Sequence, residues 1–183
     1  KRCHRLEQAA WDRIFRAPPP SRATRGLADW AAREAQATLD HVGLAAFLKD
    51  YKPGGVILFS QNIRSAAQLR RLTARLQKAA KAGGRPRLVI ATDQEGGLVR
   101  RLPWAPPKAS AQELGATSAA HIQAVGHRAG TALRAAGVNL DLAPVADVPS
   151  SPANFLEAQR RAFSTGRFAV ATDTAAFAQG LEA

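Results

Sequence analysis

Leu88-Val89-Ile90-Ala91-Thr92-Asp93-Gln94-Glu95-Gly96-Gly97-Leu98-Val99-Arg100-Arg101 decides the reading of the fold. Its first four residues are apolar without alternation, the pattern of a strand covered on both faces, as parallel sheets require. Upstream, Val56-Ile57-Leu58-Phe59 repeats that pattern after Pro53-Gly54-Gly55. Between the two strands, Ser65 is placed to cap a helix, Leu69, Leu72 and Leu76 recur on one face, and Gly83-Gly84 ends it. Downstream, Thr117 or Ser118 caps a helix through Ala136 bearing Ile122, Val125, Ala129 and Leu133, and Gly137 stops it. Val138 to Ala143 then reads as a third strand, and a last helix carries Val170, Phe177 and Leu181. Three strand-helix units in succession predict an α/β fold with a parallel sheet. In such folds the loops after the carboxyl ends of the strands build the site. The two long ones place the expected seat of any chemistry in 92–116 and 144–166.

The first of these loops sets Asp93 and Glu95 beside a glycine pair suited to a tight turn, followed by Arg100 and Arg101. An ionised aspartate accepts hydrogen bonds from neighbouring hydroxyls, and arginine offers planar, fixed donors, a combination that suits a polyhydroxylated ligand. The same residues also fit a plain ion pair, Asp93 or Glu95 with Arg100 or Arg101, that holds the loop. In the third strand Asp141 reads as a satisfied interior carboxylate, whereas Asp147 falls where a site residue would stand. Arg160-Arg161 closes the second loop within reach of the pocket that holds Asp93, or else as surface charge. His121 and His127 are six apart on a helix and form no i, i+4 metal pair. No Gly-x-Ser-x-Gly elbow, phosphate loop or dinucleotide fingerprint occurs.

Composition narrows the field. The 183 residues are 46% hydrophobic and 22% charged, a globular balance sufficient for one domain. No apolar run approaches the ~20 residues of a membrane helix, and a single cysteine, Cys3, allows no internal disulfide. The net charge of +12 raises the alternative of a basic module that binds nucleic acid or an anionic cell-wall polymer. Yet 20 of the 26 cations are arginine and 40 of the 183 residues alanine, a joint bias that codon usage also produces. The eight cations of 64–87 lie mostly opposite the leucine stripe with no aromatic residue for base stacking, so nucleic acid is not the expected partner. Residues 1–42 read as a basic, partly helical extension broken by Pro18-Pro19-Pro20, and residues 43–183 as the α/β part. The apolar core of a secretory signal is missing from the first residues, and neither the cytoplasm nor secretion is selected.

Gly54-Gly55-Val56-Ile57-Leu58-Phe59-Ser60-Gln61-Asn62, the Ala91 to Arg101 segment, and Gly137-Val138-Asn139-Leu140-Asp141-Leu142-Ala143-Pro144-Val145-Ala146-Asp147-Val148 together resemble the amino-terminal half of the family 3 glycoside hydrolases. Arg161-Ala162-Phe163-Ser164 resembles the next block, and Asp-Gln-Glu-Gly-Gly points to the β-N-acetylhexosaminidase branch. The resemblance covers about residues 43 to 183. It implies a (β/α)₈ barrel, of which about three βα units lie in this chain, and hydrolysis with retention of terminal β-linked N-acetylglucosamine from peptidoglycan fragments or chitin oligomers. It further implies that Asp93 binds sugar hydroxyls, that Arg101 and Arg161 hold the substrate, and that neither metal nor organic cofactor takes part. In the family, a Lys-His-Phe-Pro-Gly-His-Gly block carries the acid/base histidine, and the aspartate nucleophile follows it. Neither has a counterpart among residues 1–183, and the order of the blocks puts both beyond Ala183. The resemblance therefore assigns no catalytic residue here and implies an isolated chain without activity.

Overall fold

The structure is a computed structural model that describes Leu48, residues 51–151 and residues 153–183. The sequence also predicts a short helix over Leu44–Tyr51; most of it, like the extension expected at 1–42, lies outside the described residues. In chain order the elements are β1 (Gly55–Leu58), α1 (Ala66–Ala82), β2 (Val89–Thr92), β3 (Gln94–Gly96), β4 (Val99–Arg100), α2 (Ala111–Gly115), α3 (Ala119–Ala135), β5 (Leu140–Asp141), α4 (Phe155–Ala158) and α5 (Arg167–Glu182). β1, β2 and β5 form one parallel sheet whose spatial order is the chain order. Each crossover contains a helix, so the predicted α/β architecture is present; among the described residues the sheet does not close on itself.

α1 forms where its caps and stripe place it. Ser65 Oγ accepts the Gln68 N–H at 3.2 Å, Leu69, Leu72 and Leu76 are buried, and Gly83 ends the helix. Its Thr73 hydroxyl donates to Ala136 O at 2.8 Å and so ties the helix to the end of α3. α3 begins the same way, with Ser118 Oγ accepting the His121 N–H. Ile122, Val125 and Ala129 of α3 bury with Ala176 and Phe177 of α5, Ala111 and Leu114 of α2, and Phe163. Glycine makes this helix crossing close: a Cβ on Gly130 would stand 2.6 Å from Leu181 O, and one on Gly180 would meet Gln123 O. The contacts Gly126–Phe177 and Gly130–Leu181 advance together, so α3 and α5 run parallel, as successive βα units must.

Three expectations change. The segment 93–116, read as loop, contains the antiparallel β3–β4 pair and α2, because Gly96 and Gly97 take positive φ (99° and 52°) and Ser110 with Glu113 forms a capping box. The third strand, expected over Val138–Ala143, is reduced to Leu140–Asp141. Before it, the Asn139 N–H still donates to Ile90 O at 3.0 Å, but its side chain takes the place of the return bonds, accepting from Ile90 N at 2.7 Å and donating to Leu88 O at 2.9 Å. After it, Pro144 has no N–H to offer. The second long loop, 144–166, likewise contains α4.

One face of the sheet packs inward through Leu58, Ile90 and Thr92. On the other, Ile57, Val89 and Leu140 are 40–44% exposed, sharing a side by register and two-residue alternation. A cavity of about 510 Å³ opens beside β5, lined by Leu133, Leu140, Asp141 and Leu181 among others.

Candidate functional site

The carboxyl end of β2 passes directly into β3, so the strand's exit determines how the polar run leaves the sheet. Thr92 is buried, and its hydroxyl donates to Leu58 O at 2.9 Å, locking β2 to β1 at that point. Asp93 follows, half-buried. Arg101, brought back by the glycine turn, donates to its Oδ2 through Nε (3.2 Å) and Nη2 (2.9 Å). Oδ1 keeps no protein partner among the described residues. The Arg101 guanidinium also lies 5.7 Å above the Phe59 ring at the end of β1, a contact that favours cations.

Gln94 is wholly buried and acts as a staple. Its side-chain amide reaches Leu102 O, Ala105 O and Pro106 O at 3.1–3.2 Å, and its Oε1 accepts the Leu102 N–H at 2.9 Å. The loop that carries Arg101 and the exposed Trp104 is thereby fixed to the strand end.

Glu95 turns to the second loop. Arg161 binds it in a two-pronged fork, Nε to Oε2 at 2.8 Å and Nη2 to Oε1 at 2.7 Å, the geometry that gives arginine–carboxylate pairs their strength. The Glu95 side chain is 7% exposed and that of Arg161 23%. The bond to Glu95 raises the Arg161 pKa further above its ordinary value, against the cost of burial and with the charges of Asp93 and Asp147 adding to it. The Arg161 guanidinium also lies 5.8 Å above the Phe155 ring of α4.

Of the residues singled out in the sequence, Asp93 and Arg101 meet directly. Arg161 comes to the same strand end, but its bonded partner is Glu95. Asp147 is exposed, and Arg160 makes only a 3.8 Å ion pair with Glu113. Asp141 differs from its reading as a satisfied carboxylate. Its Oδ1 accepts the Gln94 N–H at 2.9 Å, while its Oδ2 is buried without a partner. Burial, reinforced by the charges of Asp93 and Glu95 and opposed by the Gln94 bond, pushes its pKa up to about 7. Ala183, beyond which the acid/base histidine and the nucleophile are expected, is exposed and caps α5, its N–H donating to Gly180 O at 3.3 Å.

Sequence reasoning missed the Glu95–Arg161 fork and the Gln94 staple. The first had one local signal: Glu95 stands two positions from Asp93, on a strand period that returns to the same side. Among the described residues, no three His, Cys, Asp or Glu side chains converge as metal ligands, and no helix is long and apolar enough to cross a membrane.

Two clamped carboxylates at the mouth of a parallel sheet can receive hydroxyls: the free Asp93 Oδ1 accepts, and the guanidinium N–H groups not used by the clamps donate. Known proteins carry the same segment. The model of the glycosyl hydrolase family 3 N terminal domain matches residues 34–183. A β-hexosaminidase of Neisseria meningitidis is 37% identical over 150 residues, 74% of this chain and 38% of that protein. A secreted glycosyl hydrolase of Arthroderma benhamiae is 36% identical over 132 residues, 69% of this chain and 36% of that protein. The chain thus spans less than two fifths of the length of either. Among solved structures, a family 3 β-N-acetylglucosaminidase from a Paenibacillus species superposes with a TM-score of 0.70 at 29% identity, covering 79% of this chain and 27% of that one. NagZ from Neisseria gonorrhoeae, in complex with N-trifluoroacetyl-D-glucosamine, gives 0.66 at 30% identity over 75% of this chain and 42% of its own. The chain belongs to the family 3 glycoside hydrolases, as part of their amino-terminal domain.

Proposed function

We propose that this chain supplies the sugar-binding part of a hydrolase that removes terminal β-linked N-acetylglucosamine, with peptidoglycan fragments or chitin oligomers as the substrate class. The observation that carries the reading is the pair of arginine-clamped carboxylates at the carboxyl ends of parallel strands. Asp93 accepts hydrogen bonds from neighbouring sugar hydroxyls through the oxygen that Arg101 leaves free. Arg101 and Arg161 hold the Asp93 and Glu95 side chains in place and direct their remaining N–H donors at ring or acetamido oxygens. The clamps are formed before a ligand arrives, so little ordering cost falls on binding. The sheet order follows the chain order and the polar run sits at the strand ends, which supports placing these βα units in a (β/α)₈ barrel.

The chemistry proposed for the family reaction, retention through two groups on opposite sides of the scissile bond, is assigned to no residue of this chain. No metal or organic cofactor enters the reading. Titration with N-acetylglucosamine, followed by saturation-transfer NMR on the sugar, tests it: binding is expected, and Asp93→Ala is expected to weaken it at least about tenfold, the loss of a charged hydrogen-bond acceptor. Equal binding by both chains overturns the reading.

The polyanion alternative has one observation in its favour. Arg70, Arg71, Lys78 and Lys81 stand exposed on the outer side of α1, and α1 contains no acidic residue. It requires affinity for a polyanion that collapses with salt, ignores N-acetylglucosamine, and is kept or increased by Asp93→Ala.

A further inference from the structure

The polar run has a third support, on β5. Asp141 pairs in register with Thr92, and the ladder between β2 and β5 ends there. The Gln94 amide, two residues beyond Thr92, finds its acceptor in the Asp141 side chain at 2.9 Å. That amide belongs to the residue between the two clamped carboxylates. Asp141 Oδ2, by contrast, is buried and unpartnered, a costly arrangement for a group serving only to fill space.

We infer that Asp141 is a positioning residue: by holding the Gln94 amide it fixes the directions in which Asp93 and Glu95 leave the chain, and so keeps both arginine clamps closed. It acts through these residues. The inference deepens the proposed sugar site, but its geometry is independent of any sugar.

The groups around Asp141 determine how it responds to pH. Asp93 and Glu95 face it from the β2–β3 run, each neutralised by its own arginine, and Arg87, Arg134 and Glu182 line the cavity on its β5 side. Burial brings its titration close to neutrality, to about 7. A proton on Oδ2 leaves Oδ1 free to accept, so the hold on Gln94 persists in both forms, while ionisation strengthens it and places a third negative charge in the cluster.

The test uses the full 183-residue chain labelled with ¹⁵N, reading the Gln94 amide and the side-chain Nε–H signals of Arg101 and Arg161. In the unaltered chain the Gln94 amide signal is expected to move with a midpoint near 7. In Asp141→Asn, which retains an Oδ1 acceptor, that movement is expected to vanish while both arginine signals stay protected. In Asp141→Leu, which has no acceptor, both Nε–H groups are expected to exchange with water at least about tenfold faster. Unchanged arginine protection in Asp141→Leu overturns the inference, and so does a Gln94 signal that still titrates in Asp141→Asn. Should Asp141→Leu fail to fold, the asparagine variant decides alone, since lost arginine protection or a persistent titration there is equally fatal. No signal requires bound sugar. A chain that behaves as expected here and ignores N-acetylglucosamine overturns the proposed function and leaves the role of Asp141 standing.

Discussion

Glu95 and Arg161 stand 66 positions apart in the chain and are bonded at 2.7 and 2.8 Å. Removing the cation leaves a nearly buried carboxylate alone, so Arg161→Ala is expected to lower stability by about 1–3 kcal/mol in urea denaturation, the lower range reflecting the arginine's partial exposure. The double change with Glu95→Gln is expected to recover most of that loss; no recovery would mean that Arg161 acts by packing alone. Asp141 gives a prediction of opposite sign. Its pKa is raised from 3.8 in the ordinary carboxylate to about 7 in the fold, so above pH 4 the unfolded chain ionises while the native chain holds its proton. Its contribution to stability is full below about pH 4 and is lost as pH rises to 7. Asp141→Asn is therefore expected to gain about 2–4 kcal/mol at pH 8 relative to its difference at pH 4, measured by denaturant unfolding at both. That Asp93 or Glu95 could meet Arg100 or Arg101 was legible in sequence because a glycine turn folds the run back on itself, but the spacing did not select the Asp93–Arg101 pair. The Glu95 fork was not legible, because no local pattern tells which distant arginine the topology will deliver.

Among the elements, the long helices follow their caps and stripes closely. Ser65 and Ser118 start α1 and α3, and the leucines of α1 are buried as their spacing requires. Leu76→Ala in that stripe is expected to cost about 2–5 kcal/mol, read from the urea midpoint, since a 3% exposed leucine leaves a cavity when truncated. At the α3–α5 crossing, Gly130→Val is expected to lower the melting temperature more than Thr131→Val on the exposed side of the same helix. Equal effects would mean that the helices part without cost. The short elements were harder to read. Ser110-Ala111-Gln112-Glu113 is a capping box in plain view, yet prolines at 103, 106 and 107 make the whole region look like loop. β5 came out shorter than its apolar run because an asparagine side chain, whose hydrogen bonding no periodicity describes, takes over the ladder.

For the whole molecule, the α/β class with its parallel sheet was legible, since three buried apolar runs separated by helices leave few other arrangements; the order of the strands was not, because the same runs fit an open doubly wound sheet as well. What the pattern did not convey is that one sheet face stays uncovered. Ile57, Val89 and Leu140 share that face, with Phe59 and Leu142 exposed one step further along their strands. Such a surface on a small sheet drives association. Sedimentation velocity on the 183-residue chain is expected to show mass rising with concentration, and Ile57→Thr with Leu140→Thr to suppress the rise. A monomer at every concentration would show that the face is closed in solution.

The Gln94 staple has a further consequence for transplantation. Residues 92–107 carry the glycine turn, the Asp93–Arg101 clamp and every bond of the Gln94 side chain within themselves. Grafted after a strand of another parallel sheet, that cassette would close its first clamp only where the host strand alongside offers the Gln94 amide an acceptor in the place of Asp141. Glu95 would come as an open socket, and the host could be given an arginine of the designer's choosing to fill it.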